Sequence, residues 1–241
     1  MSVDAVGTVR RGRGARVASR QTRDIKMLPA LKRGLPLTEP MSQEQIEKID
    51  TASMDILENV GVLFRDAIAL EDWKRAGAKV IGEMVYLDRH LVRELIKSIP
   101  ESFTYHARNP ANTVEIGGTA TVFAPSYGSP FVTDIDKGRR YGTIEDFNNF
   151  VKLAYSTPYL HHSGGTVCEP VDLAVNKRHL EMVYSHIKYS DKAFMGSVTT
   201  APRAADSIEL CRVLFGADFV DQNCVILGNV NVNSPLVLDG E

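Results

Sequence analysis

The 241-residue sequence lacks any long apolar run and has few cysteines. Without an uninterrupted apolar stretch of about 18 residues, no segment qualifies as a transmembrane helix, and the N-terminus lacks the apolar core of a secretory signal. The three cysteines, Cys168, Cys211 and Cys224, form no close pair, and an odd number argues against a disulfide framework. These absences predict a cytoplasmic protein with reduced thiols and no membrane partner.

Nucleotide-binding and metal-binding motifs are also missing. No strand-to-helix turn carries a glycine-rich phosphate fingerprint, and no His-x-His or Cys-x-x-Cys spacing occurs. A net charge of −2 gives no general argument for nucleic acid or membrane binding. With 44% hydrophobic and 24% charged residues, the composition is that of an ordinary globular protein, and the length allows one large domain or two small ones.

Charge is nevertheless concentrated at one end. Residues 1–33 carry nine Arg or Lys, including RRGRGAR at 10–16, against only Asp4 and Asp24. Few apolar residues and several glycines are typical of a disordered arm. Such a basic arm could contact nucleic acid, anionic lipid or an acidic protein. The alternative, a solvated tail that orders only against the folded body, is favoured because no aromatic residue interleaves the arginines.

Residues 34–118 predict a small α+β layer. Ser42 and Gln45 form a capping box that starts a helix, and Gly61 is a natural stop. Its largely apolar residues fall on one helical face: Ile46, Ile49, Ser53, Ile56, Leu57 and Val60. Two further helices are predicted to begin after Asp66 and Asp88, and the segments SFTYHAR and TVEIGG favour short strands.

From residue 119 buried, strand-like segments alternate with helical ones. The strands are predicted to begin near residues 120, 161, 193 and 223, with a helical pattern between each pair. Thr143 and Asp146 resemble a capping box at the start of the first of these helices, and Gly216 is a natural stop for the third. Intervals of about 30–40 residues are typical of βα units, and eight such units close a (β/α)8 TIM barrel of about 250 residues. Residues 119–241 are therefore predicted to be the first half of such a barrel, about four βα units, truncated. A doubly wound four-stranded sheet is the alternative.

Sites of α/β barrels form where the strands end, and the first strand end carries two aromatic residues. Tyr127 and Phe131 flank a Gly-Ser-Pro loop. Aromatic faces attract ammonium and methylated ammonium groups through the ring quadrupole. The pair therefore suggests a cationic ligand, although two core aromatics beside a loop would give the same pattern.

The second strand carries His161 and His162, followed by Cys168 and Glu169. These residue types can hold zinc, but adjacent residues of a strand point to opposite faces, so at most one histidine would face the barrel axis. We therefore expect no metal site, and at most one inward histidine that orients a substrate. Glu169 could balance a cationic substrate, or it could be a charge favoured by a helix N-terminus.

The fourth strand ends in the sequence GNVNVNSPL, from residue 228. Asn229 and Asn231 are two residues apart and so share one face of a strand. Asparagine is unfavourable in the middle of a strand, and a buried amide needs partners. These two residues are therefore interpreted as part of a site.

Four long segments resemble one known family. FAPSYGSPFVTDI, TIEDFNNFVKLAYSTPYLHHSGGTVCEP, HLEMVYSHIKYSDKAFMGSV and GNVNVNSPL are similar to the trimethylamine:corrinoid methyltransferase family, over about residues 30–241. The resemblance implies a (β/α)8 barrel and methyl transfer from a methylated or quaternary amine, such as trimethylamine or glycine betaine, to the cobalt of a corrinoid. Chemistry of this kind serves methanogenesis.

The same resemblance implies the partners. No cofactor would be bound directly: the cobalamin or related corrinoid would be carried by a separate protein that docks at the mouth of the barrel. The full-length protein would be a homo-oligomer. Family members are longer, so the catalytic residues are expected in the missing half, where the trimethylamine-specific members hold a pyrrolysine. The chain is then expected to be a fragment that is inactive alone.

Two other functions remain open from the sequence. A dimerised half barrel could be a non-catalytic module that binds a quaternary ammonium or the corrinoid protein. The basic arm could be a nucleic-acid tether, which would show salt-sensitive DNA binding.

Overall fold

A computed structural model describes residues 27–234 and 236–239 of the chain. Residues 1–26 of the predicted basic arm, residues 1–33, lie outside the described residues. Within the described part, no helix is long and apolar enough to cross a membrane.

The first part of the chain contains three helices whose starts follow the predicted caps: α1 (Gln43–Asn59), α2 (Ala67–Arg75) and α3 (Arg89–Ile96). Both hydrogen bonds of the capping box are present: the Gln45 N–H donates to the Ser42 hydroxyl, and the Ser42 N–H donates to the Gln45 side-chain oxygen. Asp66 and Asp88 accept hydrogen bonds from backbone N–H groups at the starts of α2 and α3. These helix starts are confirmed, because capping depends only on residues a turn apart.

Short strands accompany these helices: β1 (Leu31–Lys32), β2 (Val62–Phe64), β3 (Lys79–Ile81), β4 (Met84–Tyr86), β5 (Ser102–Tyr105), β6 (Val114–Gly117) and β7 (Ala120–Thr121). β2, β4 and β3 pair antiparallel, as do β5 with β6 and β1 with β7. A 3-10 turn covers Pro110–Asn112. β10 (Val237–Leu238) lies parallel to β2, so the last described residues join the sheet of the N-terminal layer.

Helix α1 turns its most apolar stripe outward. Met54 is buried, whereas Ile46, Ile49, Ile56 and Val60 are each 40–60% exposed. These apolar residues share one face of α1, as the sequence predicts. The face that packs against the rest of the layer is a neighbouring one, on which Met54 lies, so most of the apolar stripe is exposed.

The second part of the chain begins with a hairpin that the sequence analysis missed, β8 (Phe131–Asp134) and β9 (Gly138–Tyr141). Four helices follow: α4 (Ile144–Ser156), α5 (Val175–Tyr189), α6 (Ala201–Phe215) and α7 (Ala217–Gln222). The predicted start of α4 is confirmed by a capping box between Thr143 and Asp146. The stop of α6 at Gly216 is also confirmed, and its φ of 89° suits glycine.

Four extended segments lie side by side between these helices. The His161 N–H donates to the Phe123 carbonyl at 2.9 Å. Parallel bridges then join His162 to Ala193 and Met195 to Leu227. The order in space therefore follows the order in the chain, with α4, α5 and α6 between successive segments. The fold is mixed α/β with several small sheets; the described residues form no closed barrel, and the half barrel stays a prediction.

The core lies between these parallel segments and the helices. One cluster of buried residues joins α5, α6 and two of the segments: Val183, Phe194, Cys211 and Val225. A second packs α4 against the hairpin and the region after the second segment: Val132, Phe147, Val151 and Cys168. This packing holds the segment ends in place for the groups described next.

Candidate functional site

Tyr127 and Asn229 meet at the ends of the first and fourth parallel segments. The Tyr127 hydroxyl lies 3.4 Å from the Asn229 amide nitrogen, and the same nitrogen lies 3.4 Å from the Asn231 side-chain oxygen. The Tyr127 ring is 49% exposed, and both asparagines are exposed. The contacts are long for hydrogen bonds, so these groups are close together yet open to a ligand.

The loop before Gly128 carries Tyr127 across the second segment. The Gly128 N–H donates to the Thr166 carbonyl at 2.7 Å, and Gly128 has a φ of 91°. Such a conformation strongly favours glycine. The GSP sequence thereby anchors the loop over the neighbouring segment and lets Tyr127 reach the fourth one.

Phe131 lies on the hairpin, and its ring is already partnered there. Its centroid is 4.7 Å from that of Tyr141, and the Arg139 guanidinium lies over its face at 3.9 Å. The face of the Phe131 ring is therefore already in contact with a cationic side chain of the protein, Arg139. The structure brings Tyr127 to the asparagines, and it brings Phe131 to β9.

His161 and His162 are both buried and bonded within the protein. His161 Nδ1 accepts from the Phe123 N–H at 3.1 Å, and its Nε2 lies 3.2 Å from the Pro29 carbonyl oxygen. His162 Nδ1 accepts from the Gly164 N–H at 2.8 Å, which leaves the proton on Nε2, 3.3 Å from the Tyr105 hydroxyl. Burial lowers the pKa of His162 to about 3, helped by nearby His186, so His162 is neutral. Both rings connect neighbouring backbone segments.

Glu169 is paired with a helix residue. Its carboxylate accepts from Arg178 of α5 at 2.6 Å, and Arg178 also donates to the Leu173 carbonyl at 3.0 Å. The adjacent Cys168 is buried, and burial raises the pKa of its thiol to about 12, which disfavours the thiolate that a metal needs. Among the residues that the structure describes, no group of three or more His, Cys, Asp or Glu could hold a metal ion.

Two buried polar residues escaped the sequence analysis. His186 Nδ1 accepts from the Ser163 hydroxyl at 2.7 Å and its Nε2 donates to the Gly165 carbonyl at 2.9 Å; burial lowers its pKa to about 4. Lys192 is buried, and its ammonium donates to three carbonyls that end α4 and start the second segment: those of Ala154, Thr157 and Leu160, at 2.6, 3.1 and 2.7 Å. A single lysine before the apolar run AFMGSV was the only local signal.

The geometry suits binding rather than proton transfer. The exposed cluster of Tyr127, Asn229 and Asn231 offers an aromatic face, a hydroxyl and two amides. These three side chains include no carboxylate and no imidazole, the groups that most often transfer protons in active sites. They can attract a methylated ammonium and donate hydrogen bonds to an anionic or polar group beside it.

Comparison with known proteins gives one family. A sequence model of the family described as trimethylamine methyltransferase (MTTB) matches residues 9–241. The glycine betaine methyltransferase of Desulfitobacterium hafniense (strain Y51) is 45% identical over 206 residues, covering 85% of this chain and 43% of that protein.

Two further relatives match over shorter lengths. The proline betaine:corrinoid methyltransferase of Eubacterium limosum is 28% identical over 167 residues, 67% of this chain and 33% of that protein. The trimethylamine methyltransferase MttB of D. hafniense (strain DSM 10664 / DCB-2) is 31% identical over 115 residues, 46% of this chain and 23% of that protein. The chain thus matches less than half the length of each of these relatives.

Proposed function

Because the chain belongs to the trimethylamine methyltransferase family, we propose that it contributes to methyl transfer from a methylated or quaternary amine to the cobalt of a corrinoid protein. The relatives are methyltransferases by name, and one name includes a corrinoid. Since the chain covers 43% of the glycine betaine methyltransferase, we assign it the part of the reaction that its own residues can perform, which is binding and orienting the amine.

The four parallel segments and the helices between them support a barrel as the framework of this site. We propose that they form the first part of a (β/α)8 barrel. Ligands bind such barrels at the C-terminal ends of the strands. Tyr127 follows the first segment, and Asn229 follows the fourth, so both lie at the corresponding ends.

A betaine is the substrate class that this cluster fits best. The exposed ring of Tyr127 can face a quaternary ammonium, at a gain of about 0.5–2 kcal/mol. The amide N–H groups of Asn229 and Asn231 can donate to a carboxylate, which a betaine has and trimethylamine lacks. Two of the three relatives are named for betaines. Glu169, which could otherwise favour a simple cation, is engaged with Arg178.

Methyl transfer needs little acid–base chemistry from the protein. The N–CH3 bond breaks, the electron pair stays on nitrogen, and the quaternary ammonium becomes a neutral tertiary amine. A corrinoid carried by its own protein would supply the Co(I) nucleophile for the methyl group. Tyr127 and the asparagines hold the ammonium in one orientation, which favours attack on a methyl carbon. We propose that the corrinoid protein docks at this mouth and that the complete enzyme is a homo-oligomer.

The observation that carries the proposal is the Tyr127–Asn229 contact, which joins the ends of two non-adjacent segments. Methyl transfer from glycine betaine to free cob(I)alamin tests it. The chain is assayed alone and with a purified fragment of the D. hafniense glycine betaine methyltransferase that covers the part this chain does not match. Dimethylglycine formed only by the mixture would support the proposal. Saturable betaine binding without any transfer would favour the non-catalytic binding module.

A further inference from the structure

The loop that carries Tyr127 rests on the turn that follows the second parallel segment. The Gly128 N–H donates to the Thr166 carbonyl at 2.7 Å, and the Glu169 N–H donates to the Ser129 carbonyl at 2.9 Å. The first of these bonds is made by the residue next to Tyr127 in the chain. The direction of the Thr166 carbonyl therefore helps to set where the Tyr127 ring lies.

A second hydrogen bond within the turn sets the direction of that carbonyl. The Val167 N–H donates to the Gly165 carbonyl at 2.8 Å. Since the C=O and N–H of one trans peptide point in opposite directions, this bond turns the Thr166 carbonyl away from Gly165 and toward Gly128. The orientation of the Gly165 carbonyl thus controls whether the Gly128 bond can form.

The backbone of this turn is flexible by composition. Gly164 and Gly165 are adjacent, and Gly164 has a φ of 101°. Glycine has more conformational freedom than any other residue. A small pocket that Met182 and Met195 help to line also borders Gly165 and Thr166, so packing leaves the turn partly unsupported. Its orientation must therefore be fixed by hydrogen bonds.

His186 of α5 supplies such a bond from inside the protein. Its Nε2 donates to the Gly165 carbonyl at 2.9 Å, and its Nδ1 accepts from the Ser163 hydroxyl at 2.7 Å. The ring is 1% exposed, and its centroid lies 5.9 Å from that of Phe194, in a parallel stack, and 5.3 Å from that of Phe147. Because it is buried and both nitrogens are bonded, His186 does not contact a ligand itself.

We infer that His186 is a positioning residue for the proposed amine site: it fixes the Gly165 carbonyl and, through it, the loop that carries Tyr127. The inference rests on the proposed function and deepens it. Ser163 secures the required tautomer, because a hydroxyl that donates to Nδ1 leaves the ring proton on Nε2. The bond to the Ser129 carbonyl does not depend on His186, so losing His186 should loosen the loop without detaching it.

Two substitutions separate the hydrogen bond of His186 from its packing. In His186→Gln the amide reaches the position of Nε2 and can donate to Gly165. In His186→Asn the shorter side chain places its amide near the position of Nδ1, where it can bond to Ser163 but not to Gly165. Both variants lose the aromatic stack on Phe194, so both should be less stable than the wild type. Circular dichroism and urea unfolding check that both fold.

Calorimetric titration with glycine betaine is the first measurement. A loop that is held in place before binding lowers the entropy cost of holding the ligand. We expect about fivefold weaker binding by His186→Asn, the effect of one lost hydrogen bond, and binding within about twofold of the wild type by His186→Gln. Equal weakening in the two variants, or none in His186→Asn, would overturn the inference.

Hydrogen exchange of the Gly128 amide is the second measurement, and it needs no ligand. The exchange should be faster in His186→Asn and close to the wild type in His186→Gln, with the amides of α6 as the reference for global opening. Unchanged Gly128 exchange in His186→Asn would overturn the positioning role. If the wild type binds no betaine, the proposed function fails, and this exchange still decides whether His186 positions the Tyr127 loop.

Ser163→Ala keeps the inference testable if His186→Asn does not fold. It removes only the hydroxyl that orients the His186 ring, and the packing of the ring stays. We expect a smaller increase in Gly128 exchange than in His186→Asn. No increase in a folded Ser163→Ala protein would contradict the inference.

Discussion

The Tyr127 hydroxyl and the Asn229 amide nitrogen lie 3.4 Å apart although 102 residues separate them in the chain. The contact spans the ends of the first and fourth parallel segments, with two other segments between them. Tyr127 reaches this place because Gly128 anchors its loop to Thr166. The aromatic face and the amides of one candidate site thus come from opposite ends of the second part of the chain.

Substituting Asn229 by Asp should change which ligands bind. The new carboxylate would repel the carboxylate of glycine betaine and attract tetramethylammonium, which has none. We expect about fivefold weaker betaine binding and somewhat stronger tetramethylammonium binding, since exposed charges interact by about 1 kcal/mol. Calorimetric titration measures both. Asn176→Asp, on the exposed first turn of α5, is the control. If the binding of both ligands weakens equally, the carboxylate of glycine betaine does not bind beside Asn229.

Glu169→Gln should leave betaine binding within about twofold of the wild type. The Glu169 carboxylate is committed to Arg178 at 2.6 Å, so its charge is already neutralised within the protein. The same titration checks this expectation. A tenfold loss of affinity would show instead that Glu169 interacts directly with the cationic ligand, which is one of the two interpretations that the sequence left open.

Lys192→Met should destabilise the fold strongly. Burial lowers the pKa of Lys192 to about 8, so the ammonium keeps its three protons at neutral pH and donates to three carbonyls. Removing it leaves buried acceptors without donors, each costing about 1–3 kcal/mol. We expect the free energy of unfolding in urea to fall by about 3 kcal/mol. The exposed Lys177→Met is the control; equal losses for the two variants would contradict this role.

Stability should fall as the pH drops below about 6.5. Burial holds the folded-state pKa of His162 at about 3 and that of His186 at about 4, below the ordinary 6.5. Between these values the unfolded chain binds more protons than the folded one, so protonation favours unfolding. The loss is on the order of a few kcal/mol, because one pKa unit corresponds to about 1.4 kcal/mol.

Urea unfolding at pH 7.5, 6, 5 and 4 measures this loss. His186→Gln should be less stable at pH 7.5 but should show a shallower decline, since one of the two depressed groups is gone. If the free energy of unfolding of that variant falls with pH as steeply as that of the wild type, protonation of His186 does not cause the loss of stability.

The starts of four helices could be predicted from the sequence because their signals are local, whereas the short helix α7 was not predicted. Ser42, Asp66, Asp88 and Thr143 each cap a helix through hydrogen bonds within one turn. The alternation of strands and helices after residue 119 was also visible, because buried strands leave continuous apolar runs. The resemblance to a methyltransferase family rests on long segments and is confirmed.

Features that depend on distant contacts could not be predicted. The pairing of β10 with β2 joins residues far apart in the chain, and no local pattern encodes it. Lys192 looks like any surface lysine until its carbonyl partners are known. The outward direction of the α1 stripe is a further example: periodicity reveals an apolar face but not whether the same chain covers it. The grouping of Phe131 with Tyr127 was suggested by their proximity in sequence, whereas the hairpin directs Phe131 toward Tyr141.

The most direct test of the proposed site is the titration of glycine betaine into the wild type and into Tyr127→Leu, with Tyr184→Leu as the control of similar exposure. We predict saturable binding that weakens about tenfold in Tyr127→Leu, the loss of about 1.4 kcal/mol of cation–π attraction, and is unchanged in Tyr184→Leu. Betaine binding of equal strength in all three proteins would contradict it.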